Sequence, residues 1–296
     1  MSIAGKTDLN YILKANSKEV LVEADFYVPF EPKKANIRIR DKVVELQNVI
    51  KQSIKKLVIE DEEILFASYS ENDKNRFYDV ENMLFFNIGT STFSNCCKTQ
   101  IAFIGDEERF ATSEMLHTDI EERYHYAYRV VKVKEVESML VGKKVIASWN
   151  PIPIDIKISQ SATRYYATIR ENASKIIVNE ALTDKCLFGM KLDLTLPFKS
   201  LPASVMKPLL DGIICAFHGE EIKTAETIRM MFGDTTPFVN ESSKVLNIFG
   251  SREYVSQYRE ENSYKWNPED ERLQFAWITV HSGKEAVISG EIYKWN

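Results

Sequence analysis

Between residues 37 and 57, Val43, Leu46, Ile50, Ile54 and Leu57 recur at spacings of 3, 4, 4 and 3, which is one face of an α-helix. Lys42, Lys51, Lys55 and Lys56 lie off that face. Upstream, residues 20–30 read as a strand ended by Pro29, because proline cannot donate to a ladder. EEILFASYS (62–70), KTQIAFIG (98–105), YHYAYRVVKVKEV (124–136), KKVIASW (143–149) and IPIDIKIS (152–159) are rich in β-branched and aromatic residues and are expected as strands. The apolar run 80–97 and the stretch 163–182 fit a helix or a buried strand equally. Residues 105–123 are highly charged and aperiodic, and read as an exposed connection.

From Met190 the pattern starts again. LDLTLPF (192–198) echoes ADFYVPF (24–30), with Asp193, Pro197 and Phe198 matching Asp25, Pro29 and Phe30 at one offset. An amphipathic helix is expected next, SVMKPLLDGIICAFH (204–218), in which Pro208 predicts a kink or a late start. KVLNIFG (244–250), EYVSQYR (253–259), RLQFAWITV (272–280) and EAVISGEIYKW (285–295) read as strands, the last two joined by the turn HSGK. The second echo, Trp149-Asn150-Pro151 against Trp266-Asn267-Pro268, has a different offset. The expected class is α+β: two related halves, residues 1–186 and 187–296, each a mostly antiparallel sheet covered on one face by an amphipathic helix.

The chain has 296 residues, 44% hydrophobic and 27% charged, which is ordinary globular composition. No apolar run approaches the roughly 20 residues that span a bilayer, and the N-terminus has no signal-like pattern. The four cysteines (Cys96, Cys97, Cys186, Cys215) form no C-x-x-C pair, so reduced thiols and a cytoplasmic location are expected. The histidines (His117, His125, His218, His281) lack zinc-ligand spacing. A net charge of −5 argues against a whole-molecule grip on nucleic acid. Locally, residues 31–57 hold eight Lys/Arg against three Asp/Glu, so the face bearing Lys42, Lys51, Lys55 and Lys56 is a candidate surface for nucleic acid or an acidic partner.

Two carboxylate patterns carry candidate chemistry. Asp79 and Glu81, followed by Asn82, precede the apolar run. With a third acid from Asp106, Glu107 or Glu108 they would form a Mg2+ or Mn2+ site able to clamp a phosphodiester. Asp79-Val80-Glu81-Asn82 resembles the D-x-D-N pattern of RusA-type junction resolvases over fewer than twenty residues, with Glu81 in place of the second Asp. The competing reading makes Asp79 a helix N-cap, with acids in the first turn suiting the helix dipole. The second pattern, Asp155-Ile156-Lys157, resembles the D-x-K half of restriction-type nucleases, but no upstream Pro-Asp accompanies it, only Glu135 or Glu137. Alternation alone explains it as a strand with Asp155, Lys157 and Ser159 to water and Ile154, Ile156 and Ile158 to the core. NIGTSTFSN (87–95) offers small residues for an anion but lacks both nucleotide-loop motifs. The expectation is a non-catalytic binding or accessory protein without a cofactor, with a protein or acidic ligand as partner. A metal-dependent phosphodiesterase or nuclease using Asp79, Glu81 and an acid from 106–108 is the alternative.

Overall fold

The computed structural model describes residues 10–29, 37–71, 79–105, 124–158, 161–183, 186–233, 246–258 and 263–295. The charged connection 106–123, with Asp106, Glu107 and Glu108, lies outside them, as does Ser159. The chain forms two compact units, each α+β. Unit 1 comprises residues 1–141 with 201–204 and 274–277, and unit 2 the remainder from Gly142.

In unit 1, β1 (Tyr11–Ala15) and β2 (Glu19–Ala24) form a hairpin, followed by α1 (Ile37–Ile54), β3 (Glu63–Glu71), β4 (Gln100–Gly105), β5 (Tyr124–Lys132) and α2 (Val133–Leu140). The sheet order is β1-β2-β5-β3-β4, all antiparallel except β3 with β4. Val43, Leu46, Ile50 and Ile54 are wholly buried, so the 3-4 spacing is the seam by which α1 packs on the sheet. β2 ends at Ala24, short of the expected Pro29, because Asp25 turns the chain and accepts the Asn10 N–H at 3.0 Å. The ambiguous run 80–97 is neither long helix nor strand: within it Asn82–Phe86 is a π-helical turn and Thr90–Ser94 a 3-10 turn. Gly89 joins them at φ +96°, a conformation that favours glycine.

In unit 2, β6 (Lys144–Pro153), α3 (Ser161–Glu171), β7 (Ile176–Val178), β8 (Leu187–Leu196) and α4 (Pro202–Ala216, from Val205 in this unit) precede a parallel pair. That pair is β9 (Gly219–Glu220) and β10 (Ser251–Arg252), with α5 (Ile222–Phe232) between them in sequence. The hairpin β11 (Val255–Tyr258) and β12 (Ser263–Trp266) follows, then β13 (Leu273–Ser282) and β14 (Val287–Trp295). The main sheet runs β13-β8-β14-β6-β7. The HSGK turn therefore does not close a hairpin. β8 is inserted between β13 and β14, and Gly283 N–H donates to Leu196 O at 3.0 Å. α4 runs through Pro208 without a late start, with Pro202 at its first position, where a missing N–H costs nothing.

The echoed segments both lead into a helix, but their neighbours differ. β2 lies between its own preceding strand and β5, whereas β8 lies between the two last strands of the chain. α2 stands where the sequence suggested the end of a strand. In α2 a Glu135 side chain accepts the Lys132 N–H at 3.0 Å and closes the first turn.

α3 and α4 meet at Gly212. A Cβ there would lie 2.3 Å from the Ala162 carbonyl oxygen and 2.9 Å from Tyr165 Cβ. The first is backbone and cannot swing away, so Gly212→Ala is expected to separate the helices and cost about 3 kcal/mol. Urea unfolding of the variant checks this; a midpoint equal to wild type would refute it.

Candidate functional site

Asp79 stands immediately before the helical turn, and its carbonyl oxygen accepts the Met83 N–H at 3.1 Å. Its half-buried carboxylate accepts the Asn82 side-chain amide at 2.6 Å. Glu81, within the turn, is 1% exposed. The two carboxylates thus have different surroundings, one tied to a neighbouring side chain and one withdrawn from water.

Asp155 and Lys157 are not on a strand. β6 ends at Pro153, and Asp155 Oδ1 accepts the Lys157 N–H at 2.9 Å, an Asx turn that places both side chains in solvent. Ile154 is buried, but Ile156 is 43% exposed, so the expected alternation breaks at Asp155. An aspartate that can hydrogen-bond its own chain two residues on competes with the ladder, and here it wins. Glu135 is occupied at the start of α2.

The basic side of α1 is partly spoken for. Lys42 pairs with Glu45 at 3.2 Å and lies 5.8 Å from the Tyr11 ring centroid. Lys51 is half-buried, and burial, then the neighbouring Lys55, lowers its pKa. Lys55 and Lys56 are exposed.

Two ionic clusters in unit 2 escaped the sequence reading. One is enclosed. Arg170 of α3 has a fully buried side chain and lies 3.2 Å from Glu220 Oε1. The Tyr166 and Tyr254 hydroxyls approach the same carboxylate oxygen at 3.2 and 3.3 Å, and each other at 2.9 Å. Arg170 also donates to His218 O at 2.5 Å and to the Tyr254 hydroxyl at 3.1 Å. One cation meets one anion, with hydrogen bonds to Glu220 Oε1 and from Arg170 Nη2, while Glu220 Oε2 is buried without a hydrogen bond. It ties α3 to β9 and to the segment before β11.

The other cluster is unbalanced. Lys207 and Asp211 are one turn apart on α4, and Asp270 opens the short 3-10 turn Asp270–Arg272 that leads into β13. Lys207 Nζ lies 2.5 Å from Asp270 Oδ2 and 3.1 Å from Asp211 Oδ1. Asp211 Oδ1 makes this ion-pair contact without a hydrogen bond. Carboxylate oxygens of Asp211 and Asp270 come within 4.8 Å of each other, as do those of Asp270 and Glu271. One ammonium thus serves two close carboxylates. Burial pushes the Asp211 carboxyl up to about 6; Lys207 opposes this and Asp270 reinforces it. Two acids and a lysine thus come together from α4 and the Glu269-Asp270-Glu271 run, whereas Asp155 and Lys157 stand apart in a solvent-exposed turn. The legible signal was the i, i+4 Lys207-Asp211 pair; its meeting with Asp270 is non-local.

Unit 2 is an α+β unit whose sheet and helices position a lysine between two aspartates. No protein-family model, curated protein or solved structure matches the chain.

Two expectations follow. Asp79→Asn should keep stability within a few tenths of a kcal/mol and Asp79→Ala should cost about 1 kcal/mol; equal denaturation midpoints for the two variants would remove the capping role. His218, whose Nδ1 lies 3.1 Å from Gly250 O, has its pKa lowered to about 3, chiefly by burial. The unfolded chain then binds the proton first, so His218 stabilises the fold above its unfolded pKa and that contribution is lost as pH falls from 6.5 towards 3, by roughly 4 kcal/mol. Stability against pH measured for wild type and His218→Asn checks it; identical slopes over that window would contradict it.

Proposed function

We propose that the chain is a metal-dependent phosphodiesterase, with a divalent cation held by Asp211 and Asp270. The observation that carries this reading is the charge imbalance: two close, largely buried carboxylates share the Lys207 ammonium, and burial, with Asp270 adding to it and Lys207 opposing it, raises the Asp211 pKa to about 6. Perturbed carboxyls beside a specific charge partner are where catalytic chemistry concentrates. A hard divalent cation suits oxygen ligands and supplies the missing positive charge. Bound there, Mg2+ or Mn2+ would lower the pKa of a coordinated water and polarise a phosphoryl oxygen. Hydrolysis would form the bond from the water oxygen to phosphorus, break the P–O bond to the leaving alcohol, and pass the proton lost by the water through solvent to the departing alkoxide. Lys207, which pairs with both carboxylates, would offset the charge that grows on the phosphoryl oxygens. In this proposal Asp79 keeps the capping role and Glu81 a place in the first turn.

A second reading, binding without catalysis, is favoured by a polar groove elsewhere in unit 2.

The test combines binding with turnover. Adding Mg2+ or Mn2+ should raise the Tm of the wild type and not of Asp270→Asn. Hydrolysis of bis(p-nitrophenyl) phosphate or of single- and double-stranded DNA should require the metal and be lost in Asp211→Asn and Asp270→Asn. Lys207→Met should keep the metal-induced shift yet lose hydrolysis, an outcome that a merely structural salt bridge would not give. Because Asp211 must shed its proton to ligate, metal affinity should rise as pH increases through about 6. In the metal-free protein the raised Asp211 pKa acts in the opposite sense: the folded state holds the proton more tightly, so this group's contribution to stability declines between about pH 4 and 6. No metal-induced shift in the wild type at pH 7 to 8 would overturn the proposal.

A further inference from the structure

The outer face of the unit 2 sheet carries a groove of about 420 Å³, within the size range of small-ligand sites. Its origin is a register shift. Ile288 pairs with Ile152 but Gly290 pairs with Trp149, so Asn150 and Pro151 of β6 face the single Ser289 of β14. The extra residue bends β6 locally. Ser148 and Ser289 leave a low floor, while Lys175, Lys191 and Glu291 are long side chains at its rim.

The charges along the groove are ordered. Glu291 pairs across the strands with Lys191, and Asp193 lies two residues beyond Lys191 on the same face of β8. Two carboxylates therefore stand with one ammonium at the β8–β14 end. Asp193 also lies 3.4 Å from His281 Nε2. At the opposite end, beside β7, Lys175 donates to the neutral Asn172 side chain at 2.9 Å. The wall there includes Ile177, which is 61% exposed. One end thus has surplus negative charge, the other a lysine on a neutral partner, and the floor between offers hydroxyl and amide groups.

We propose that this groove binds a short peptide with free termini, its ammonium at Asp193 and Glu291 and its carboxylate at Lys175. Three strand spacings separate β8 from β7, roughly 14 Å at ~4.8 Å each, and an extended peptide advances ~3.4 Å per residue. Three or four residues span that distance once the lysine reaches inward. An ammonium and a carboxylate held on a single amino acid cannot reach both ends. Serine and asparagine side chains on the floor supply donors and acceptors for the peptide groups, and Ile177 supplies an apolar contact for one side chain. The proposal is independent of the carboxylates at 211 and 270 and needs no metal.

Calorimetric titration of the full chain, without metal, tests it with trialanine and tetra-alanine. The free-termini peptides should bind, and acetylating the N-terminus or amidating the C-terminus should each weaken binding roughly tenfold, the equivalent of about 1.4 kcal/mol. Lys175→Met should weaken the free peptide and leave the C-amidated peptide unchanged. Asp193→Asn should weaken the free peptide and leave the N-acetylated one unchanged. Both substitutions are at the open face, and circular dichroism verifies that the fold persists. Absence of binding by the free peptides, equal binding of free and blocked forms, or tighter binding of the neutral oligosaccharide maltotriose would each overturn the proposal.

Discussion

The contact between α3 and α4 at Gly212 sets the geometry of unit 2. Leu209, Leu210, Ile213 and Ile214 are wholly buried, so the orientation of α4 is dictated by its apolar face. The absence of a side chain at Gly212 lets the helix sit directly against the Ala162 carbonyl. Asp211 precedes that glycine and Lys207 lies one turn before Asp211. Neither polar residue can leave without α4 rotating its apolar residues towards water, at roughly 1.5–3 kcal/mol for each large side chain exposed. The site is held by hydrophobic packing rather than by its own charges.

That distinction separates the two ionic clusters. Around Arg170 the charges cancel, and Tyr166, Tyr254 and the His218 carbonyl bond to Glu220 Oε1 and Arg170 Nη2, although Glu220 Oε2 is buried without a hydrogen bond. Such a network fixes where α3, β9 and the approach to β11 lie. Around Lys207 the charges do not cancel. Burial of a second carboxylate with only half a cation available is unfavourable, and the raised Asp211 pKa expresses that cost as a tendency to keep a proton. A fold selected for stability alone would lose little by placing an asparagine at 211.

What could be read from the sequence was local. The face of α1 was legible to the residue, because period and burial coincide at Val43, Leu46, Ile50, Ile54 and Leu57. The strands at β3, β4, β5, β13 and β14 were legible for the same reason. Asp155 was misread because alternation and an Asx turn make the same residues polar, and only the competition between ladder and side chain decides. α2 was missed because β-branched Val130, Val131 and Val133 run across its boundary with β5, while the Glu135 that closes its first turn is a single residue. The hairpin expected of β13 and β14 failed on a non-local fact: β8, far earlier in the chain, fills the place between them. The candidate site is of that kind. Lys207 and Asp211 were visible as an i, i+4 pair, but Asp270 reaches them only through the path of β13.

The groove shows how a sheet face becomes more than a surface. A regular antiparallel face presents side chains in rows of even height, and such rows leave no concavity. One surplus residue in β6 and small side chains at 148 and 289 lower the centre, while the paired register of β8 and β14 brings Lys191 and Glu291 up beside it. Gly290 belongs to the same device from the other side: a Cβ there would lie 2.5 Å from Trp149 and 2.8 Å from Leu192. Shortening the bulge would thus alter the core under Trp149 as well as the groove above it. Trp149 and Gly290 thus belong both to the groove lining and to a close contact in the sheet beneath it.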